Sequence, residues 1–149
     1  MKTTLLHEHQ GLRTFAVVLA TGDEVMASLT SFATEHRLAT TQFTAIGALS
    51  RAVVAFFDWE SRRYQNIPID EQVEVLSLLG DITLDADKPK VHAHIVLGKA
   101  DGSAHGGHLV EAVARPTVEI ILTETPTHLR RSFDPASGLP LIDAGGQRT

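Results

Sequence analysis

Val91-His92-Ala93-His94-Ile95-Val96-Leu97-Gly98-Lys99, Ala100-Asp101-Gly102, and Ser103-Ala104-His105-Gly106-Gly107-His108-Leu109-Val110 read as strand, turn and strand. The three middle residues suit a short hairpin loop, with Gly102 at its left-handed position. Lys99 then pairs with Ser103, and counting back sets His94 directly opposite His108. Residues two apart on a strand share a face, so His92 and His94 lie on one side of the sheet. Facing Cβ atoms stand roughly 5 Å apart and diagonal ones roughly 7–8 Å. The same count sends His105 and Glu111 to the opposite face. Two alternatives break this triangle. A two-residue Asp101-Gly102 turn shifts the register by one, and a bulge at Gly106-Gly107 changes the parity before His108.

Three imidazoles so placed can converge on one divalent ion at about 2.0–2.1 Å. Three protein ligands leave a fourth position open, the pattern of a catalytic zinc site rather than a structural one. Zinc is the first choice, with nickel, iron or manganese as alternatives. The competing reading is three ordinary half-exposed strand histidines. Gly106 and Gly107, beside His108, permit close approach of backbone or ligand. The other histidines have plain explanations: His7 and His9 near a flexible terminus, His36 at a helix end, His128 in a proline-rich turn.

Outward from the hairpin, Leu12 to Ala20 is a β-prone run closed by Thr21-Gly22. Asp23 and Glu24 open a helix favourably for its dipole, and Val25, Met26, Leu29, Phe32 and Ala33 give it an apolar stripe to about His36. Further strands are expected at Thr40 to Ile46, ending at Gly47, at Arg51 to Trp59, and at Tyr64 to Ile69. Val73 to Leu84 reads as one strand with a bend or bulge at Gly80, followed by a polar loop from Asp85 to Lys90. A last strand, Val118 to Leu122, follows Pro116, and Phe133 to Leu141 is turn-rich. One helix among mostly antiparallel strands is the α+β class. The 149 residues fit a single domain, with its core at about 11–142, flexible termini and a frayed Gly145–Thr149.

The chain has no cysteine, which removes disulfides, thiolate catalysis and cysteine-rich zinc modules. Any transition metal must be held by imidazole and carboxylate. The formal net charge is −5, and the densest basic pairs, Arg62-Arg63 and Arg130-Arg131, are isolated. Free-standing DNA binding, which draws on phosphate neutralisation, is disfavoured. No apolar run reaches the roughly 20 residues of a membrane-spanning helix. The N-terminus lacks a signal-peptide stretch, so a cytoplasmic protein is expected.

Several segments together resemble the PPC domain, the plants-and-prokaryotes conserved domain. They are Arg13-Thr14-Phe15 leading to Gly22-Asp23-Glu24-Val25; Gly47-Ala48-Leu49; Val73 to Gly80; Val91-His92-Ala93-His94; Gly106-Gly107-His108-Leu109; and Pro116 to Ile120, with a late Gly138-Leu139. The resemblance implies a compact antiparallel sheet with a packed helix, assembled as a homotrimer. It also implies a fold similar to acetolactate decarboxylase and to a zinc-dependent hydrolase-like group. Those relatives hold zinc through a His-x-His pair and a later histidine, a pattern that maps onto His92, His94 and His108. Plant members add an Arg-Gly-Arg AT-hook, absent here, and a Gly-Arg-Phe-Glu-Ile-Leu stretch in which Gln72 and Val73 now replace Arg and Phe.

Other residues are weaker candidates. Glu74, in an apolar strand, is a candidate orienter of an imidazole, although an interface ion pair or an outward position is the plainer reading. Arg13 is a candidate for an anionic substrate group, against a surface or trimer-interface salt bridge. Ser50 and Ser103 lie in no nucleophile elbow. Phe56, Phe57 and Trp59 read as core or interface aromatics. Two functions are carried forward. The first is a metal-dependent small-molecule enzyme performing hydrolysis or decarboxylation. The second is a DNA-binding or assembly module without catalysis.

Overall fold

The computed structural model describes residues 1–145; Gly146–Thr149, within the stretch expected to fray, lie outside the described residues. Its strands are β1 (Lys2–His9), β2 (Leu12–Ala20), β3 (Thr40–Asp58), β4 (Arg63–Ile69), β5 (Val73–Asp85), β6 (Lys88–Gly98), β7 (Ala104–Glu124), β8 (Arg130–Asp134) and β9 (Leu139–Asp143). One helix, α1 (Val25–Glu35), lies between β2 and β3. The strands form one sheet in the order β1-β2-β7-β3-β5-β8-β9, with β4 on β3 and β6 bridging β5 and β7. Every pairing is antiparallel except a single parallel bridge between Leu84 and Arg130. The expected class, a mainly antiparallel sheet with one packed helix, is what forms. No helix among the described residues is long and apolar enough to cross a membrane.

The helix begins at Val25, two residues later than its acidic pair suggests. Asp23 stays outside, bound to the N-terminal ammonium at 2.7 Å. Glu24 is the cap: its carboxylate accepts from the backbone N–H of Met26 and Ala27, and also from Ala112 of β7 at 3.0 Å. One carboxylate thus satisfies orphan helix donors and ties the helix to the sheet. Val25, Leu29, Phe32 and Ala33 form its buried stripe, packed over β6 and β7. Truncating fully buried Phe32 to alanine costs about 3–5 kcal/mol by loss of burial and a residual cavity.

Several element expectations are corrected. β3 does not stop at Gly47; it runs on to Asp58, absorbing the glycine in a register shift between Ala45 and Gly47 against β5. β7 likewise continues through Pro116, because its ladder with β3 is interrupted between Gly47 and Leu49, where a missing N–H costs no pairing. The irregularity of β5 falls between Val75 and Ser77, not at Gly80, whose register is unbroken. The loop expected over 85–90 is a two-residue turn with Ala86 and Asp87 both at positive φ, and Pro89 lies inside β6. Residues Lys2–His9, placed among the flexible termini, pair with β2, leaving His7 and His9 exposed. The turn-rich tail is a hairpin, β8–β9.

Candidate metal centre

The Ala100-Asp101-Gly102 turn fixes the site. Lys99 N–H donates to Ser103 O at 2.9 Å, Gly102 N–H donates to Lys99 O at 3.0 Å, and Gly102 has φ +81°. The register that follows pairs Gly98 with Ala104, Val96 with Gly106, and His94 with His108, without a bulge. The three imidazole centroids stand 5.2, 5.2 and 5.4 Å apart. One nitrogen from each lies within 4.8 Å of the other two. Tetrahedral bonds of about 2.0–2.1 Å would set the donors about 3.4 Å apart, so the rings would close by up to about 1.4 Å to share one ion. His92 and His108 are half-buried and His94 is exposed, which leaves an open side.

Each imidazole has a distinct support. Nδ1 of His92 lies 3.3 Å from Oδ2 of Asp81, its partner across β5 and β6. That contact engages Nδ1 and leaves Nε2 as the nitrogen available to a metal, the arrangement ligating histidines commonly have. The other carboxylate oxygen of Asp81 accepts from Nη2 of Arg131 at 2.5 Å. Arg131 is nearly buried, and its remaining donors reach Thr83 Oγ1 at 2.8 Å and Pro140 O at 3.1 Å. Burial pushes Asp81 up, but the His92 hydrogen bond and the Arg131 charge outweigh it and hold its carboxyl below the usual range. Burial, then the charges of His92, His94 and Lys90, push His108 down to about 4. Burial and His92 lower His94 as well. These two rings are therefore neutral near pH 7, the state that donates a lone pair to a metal.

His108 supplies the test of fit. Its Nδ1 is buried without a hydrogen-bond partner. An unsatisfied buried polar atom costs about 1–3 kcal/mol, and a cation shared with His92 and His94 would offset that cost. The residues present fit a divalent ion.

Gly106 and Gly107 hold this geometry through backbone approach. A Cβ on Gly107 would stand 2.7 Å from the Ala55 carbonyl oxygen, and one on Gly106 would stand 2.9 Å from that of Ile95. Glu74 and Arg13 are not brought to the cluster. Glu74 is exposed and opposite Gly98, six residues along β6 from His92, or about 20 Å at strand spacing. Arg13 donates to the His36 carbonyl at 3.2 Å, at the end of the helix, and lies over the Phe15 ring. His105 and Glu111 stay away too, the latter paired with Arg51 at 2.5 Å.

Sequence reasoning missed Asp81, Arg131, Tyr64 and Lys90. The Tyr64 ring lies 4.7 Å from that of His108. With Lys90, His92, Arg131 and Leu139–Leu141 it lines a cleft of about 250 Å³. Asp81 could have been found by counting back from the Ala86-Asp87 turn, but neither residue is a glycine or asparagine, so the turn has no sequence signature. Arg131 carries no local signal; only the docking of β8–β9 brings it in.

A one-helix antiparallel sheet bearing an open cluster of three histidines is the class that fold and site define. Residues 6–126 match the Plants and Prokaryotes Conserved (PCC) domain, and the chain belongs to that family. Among solved structures it is similar to a metal-containing protein of Archaeoglobus fulgidus, with 31% identity, TM-score 0.82, and 95% and 99% of the two chains covered. It is also similar to a plant- and prokaryote-conserved protein of Pyrococcus horikoshii, with 29% identity, TM-score 0.82, and 95% and 94% covered. The “putative dna binding protein” of Bacteroides thetaiotaomicron shares the fold at TM-score 0.86 and 23% identity, with 97% and 99% covered. A curated relative is the bifunctional protein GlmU of Synechococcus sp. (strain JA-3-3Ab), 30% identical over 85% of this chain. The chain spans only 20% of that protein's length.

Proposed function

We propose that His92, His94 and His108 bind a divalent transition metal, zinc first, as the reacting centre of a small-molecule enzyme. The observation that carries this reading is the convergence of one nitrogen from each ring to within 4.8 Å of the others, in a cluster whose His108 has a buried Nδ1 without a partner. The metal-containing Archaeoglobus relative, 31% identical over nearly the whole chain, supports it. Bound there, a metal with a free position would polarise a carbonyl or activate water, as hydrolysis or decarboxylation requires. Decarboxylation agrees with the kinship to acetolactate decarboxylase implied by the sequence resemblance. The chain's own residues orient: Asp81 holds His92, and Arg131 holds Asp81. The check is elemental analysis of protein purified without an affinity histidine tag. About one metal per chain is expected; a protein that stays metal-free after incubation with zinc, nickel and manganese overturns the reading.

The assembly belongs to the same proposal. One sheet face exposes Val18, Ile46, Leu76, Leu79 and Ile121 around a shallow apolar hollow. Contiguous apolar surface of this kind marks an interaction site, and two further copies of this chain are its proposed cover. DNA binding, the alternative that the Bacteroides relative's description suggests, meets a net charge of −5. Salt-dependent binding to A·T-rich duplex would revive it.

A further inference from the structure

We propose that the cleft beside the histidines takes a small carboxylate with an apolar body, its carboxylate on Lys90 and its body against Tyr64. The inference takes the histidine cluster as the reacting centre and so rests on the reading above. Its binding residues, however, are outside the cluster.

Lys90 precedes His92 by two residues on β6 and therefore shares the face of His92 and His94. Its side chain is 50% exposed, and its ion-pair contact is with Asp85 at 3.6 Å, near the outer limit of such a contact. Arg131, the other cation of the cleft, is spent on Asp81, Thr83 and Pro140. Asp81 is in turn matched by Arg131 and His92, so the cation of the cleft with donors to spare is Lys90, held among the described residues only by its 3.6 Å contact with Asp85. An anion is the ligand that a loosely held ammonium in a cleft selects.

Size and lining set the rest. At about 250 Å³ the cleft lies below the roughly 300–1,000 Å³ of pockets for drug-sized ligands, so a small molecule fits. Tyr64 offers a 40% exposed ring beside His108, and Leu139 and Leu141 of β9 also line the cleft. A purely mineral anion would leave those apolar groups without a contact. A carboxylate with an apolar body uses both sides.

Benzoate is the probe, titrated by calorimetry and by amide chemical shifts into metal-free and zinc-loaded protein, with benzyl alcohol as its neutral counterpart. Benzoate is expected to bind in both states, and benzyl alcohol about tenfold more weakly, the value of one charge-assisted hydrogen bond. Lys90→Gln should weaken benzoate about tenfold, with zinc content and benzyl alcohol affinity unchanged, and Lys90→Arg should retain it. Tyr64→Leu should weaken benzoate without changing zinc content. No benzoate binding overturns the proposal, as does equal affinity in wild type and Lys90→Gln, or for benzoate and benzyl alcohol. Benzoate binding that persists in a protein unable to hold zinc counts against the metal reading alone.

Discussion

One face of the sheet has two ends of opposite character. Cross-strand partners run in a row from Ala16 through Ile121, Thr44 and Leu79 to His94 and His108. At one end, Ile46 and Leu79 stand 62% and 58% exposed in a mainly apolar setting, with Thr44 and Glu119 among their neighbours. At the other, the β8–β9 hairpin walls the face, and His92, Asp81 and Arg131 are linked in a hydrogen-bonded chain. Leu79 and His94 are direct neighbours, so the change occurs within one residue pair. The same backbone pairing supports both, and the side chains decide what each end does. An apolar end is neutral to substitution in the free chain and gains value when covered. A histidine end is costly in the free chain and gains value when a cation arrives.

Removing one imidazole is the largest break in this contrast. His108→Ala should reduce bound metal from about one per chain to near none, because two imidazoles with His94 exposed hold an ion weakly. The same variant deletes the orphaned nitrogen, so the metal-free fold should be no less soluble. Metal retained at wild-type level would show that the ion, if present, sits elsewhere. At the other end, Ile46→Lys places a charge beside its cross-strand partner Glu119, where the free chain tolerates it. Light scattering should then report single chains that keep their metal. Unchanged oligomers would show that this face is not the interface.

How much of this was legible follows from how local each determinant is. The β6–β7 hairpin was readable because its turn type, its glycine and its parity lie within eighteen consecutive residues, 91–108. The helix was readable from its stripe, but not its start: Asp23 and Glu24 precede it, with Glu24 as the cap of a helix that begins at Val25. β3 and β7 were each read as two strands because glycine and proline interrupt the pattern; the register shifts that absorb them depend on a partner strand distant in sequence. Glu74 was a plausible orienter by composition, and Asp81 holds that place by register. The Arg131 clamp lies beyond the matched family region and needs the tertiary docking of β8.

A smaller effect tests the orienting chain. Asp81→Asn keeps size and one hydrogen-bond acceptor but removes the charge that faces both His92 and Arg131. Losing such a partner commonly weakens metal affinity by about 10–100-fold. Competition with a chromophoric chelator should place zinc affinity in that range below wild type. Affinity equal to wild type would reduce Asp81 to a structural partner of Arg131.

The smallest effect is a slope. In the metal-free protein His108 is pushed down to about 4 from the usual imidazole value of 6.5, and His94 is lowered too. Between those values the unfolded chain binds a proton that the folded chain refuses, so stability rises with pH across the window. The contribution is complete above pH 6.5 and is lost as pH falls towards 4. The lowered Asp81 acts with the same sign but below 3.8, outside the window. Melting temperature should therefore fall between pH 6.5 and 4 more steeply in wild type than in His108→Gln. Other carboxylates titrate in both proteins, so the difference between the two curves isolates the imidazole. Zinc should steepen the wild-type curve further, since protons compete with the metal for the same nitrogens. Parallel metal-free curves would mean that His108 is hydrated in solution, and the histidine end would then be no costlier than the apolar one.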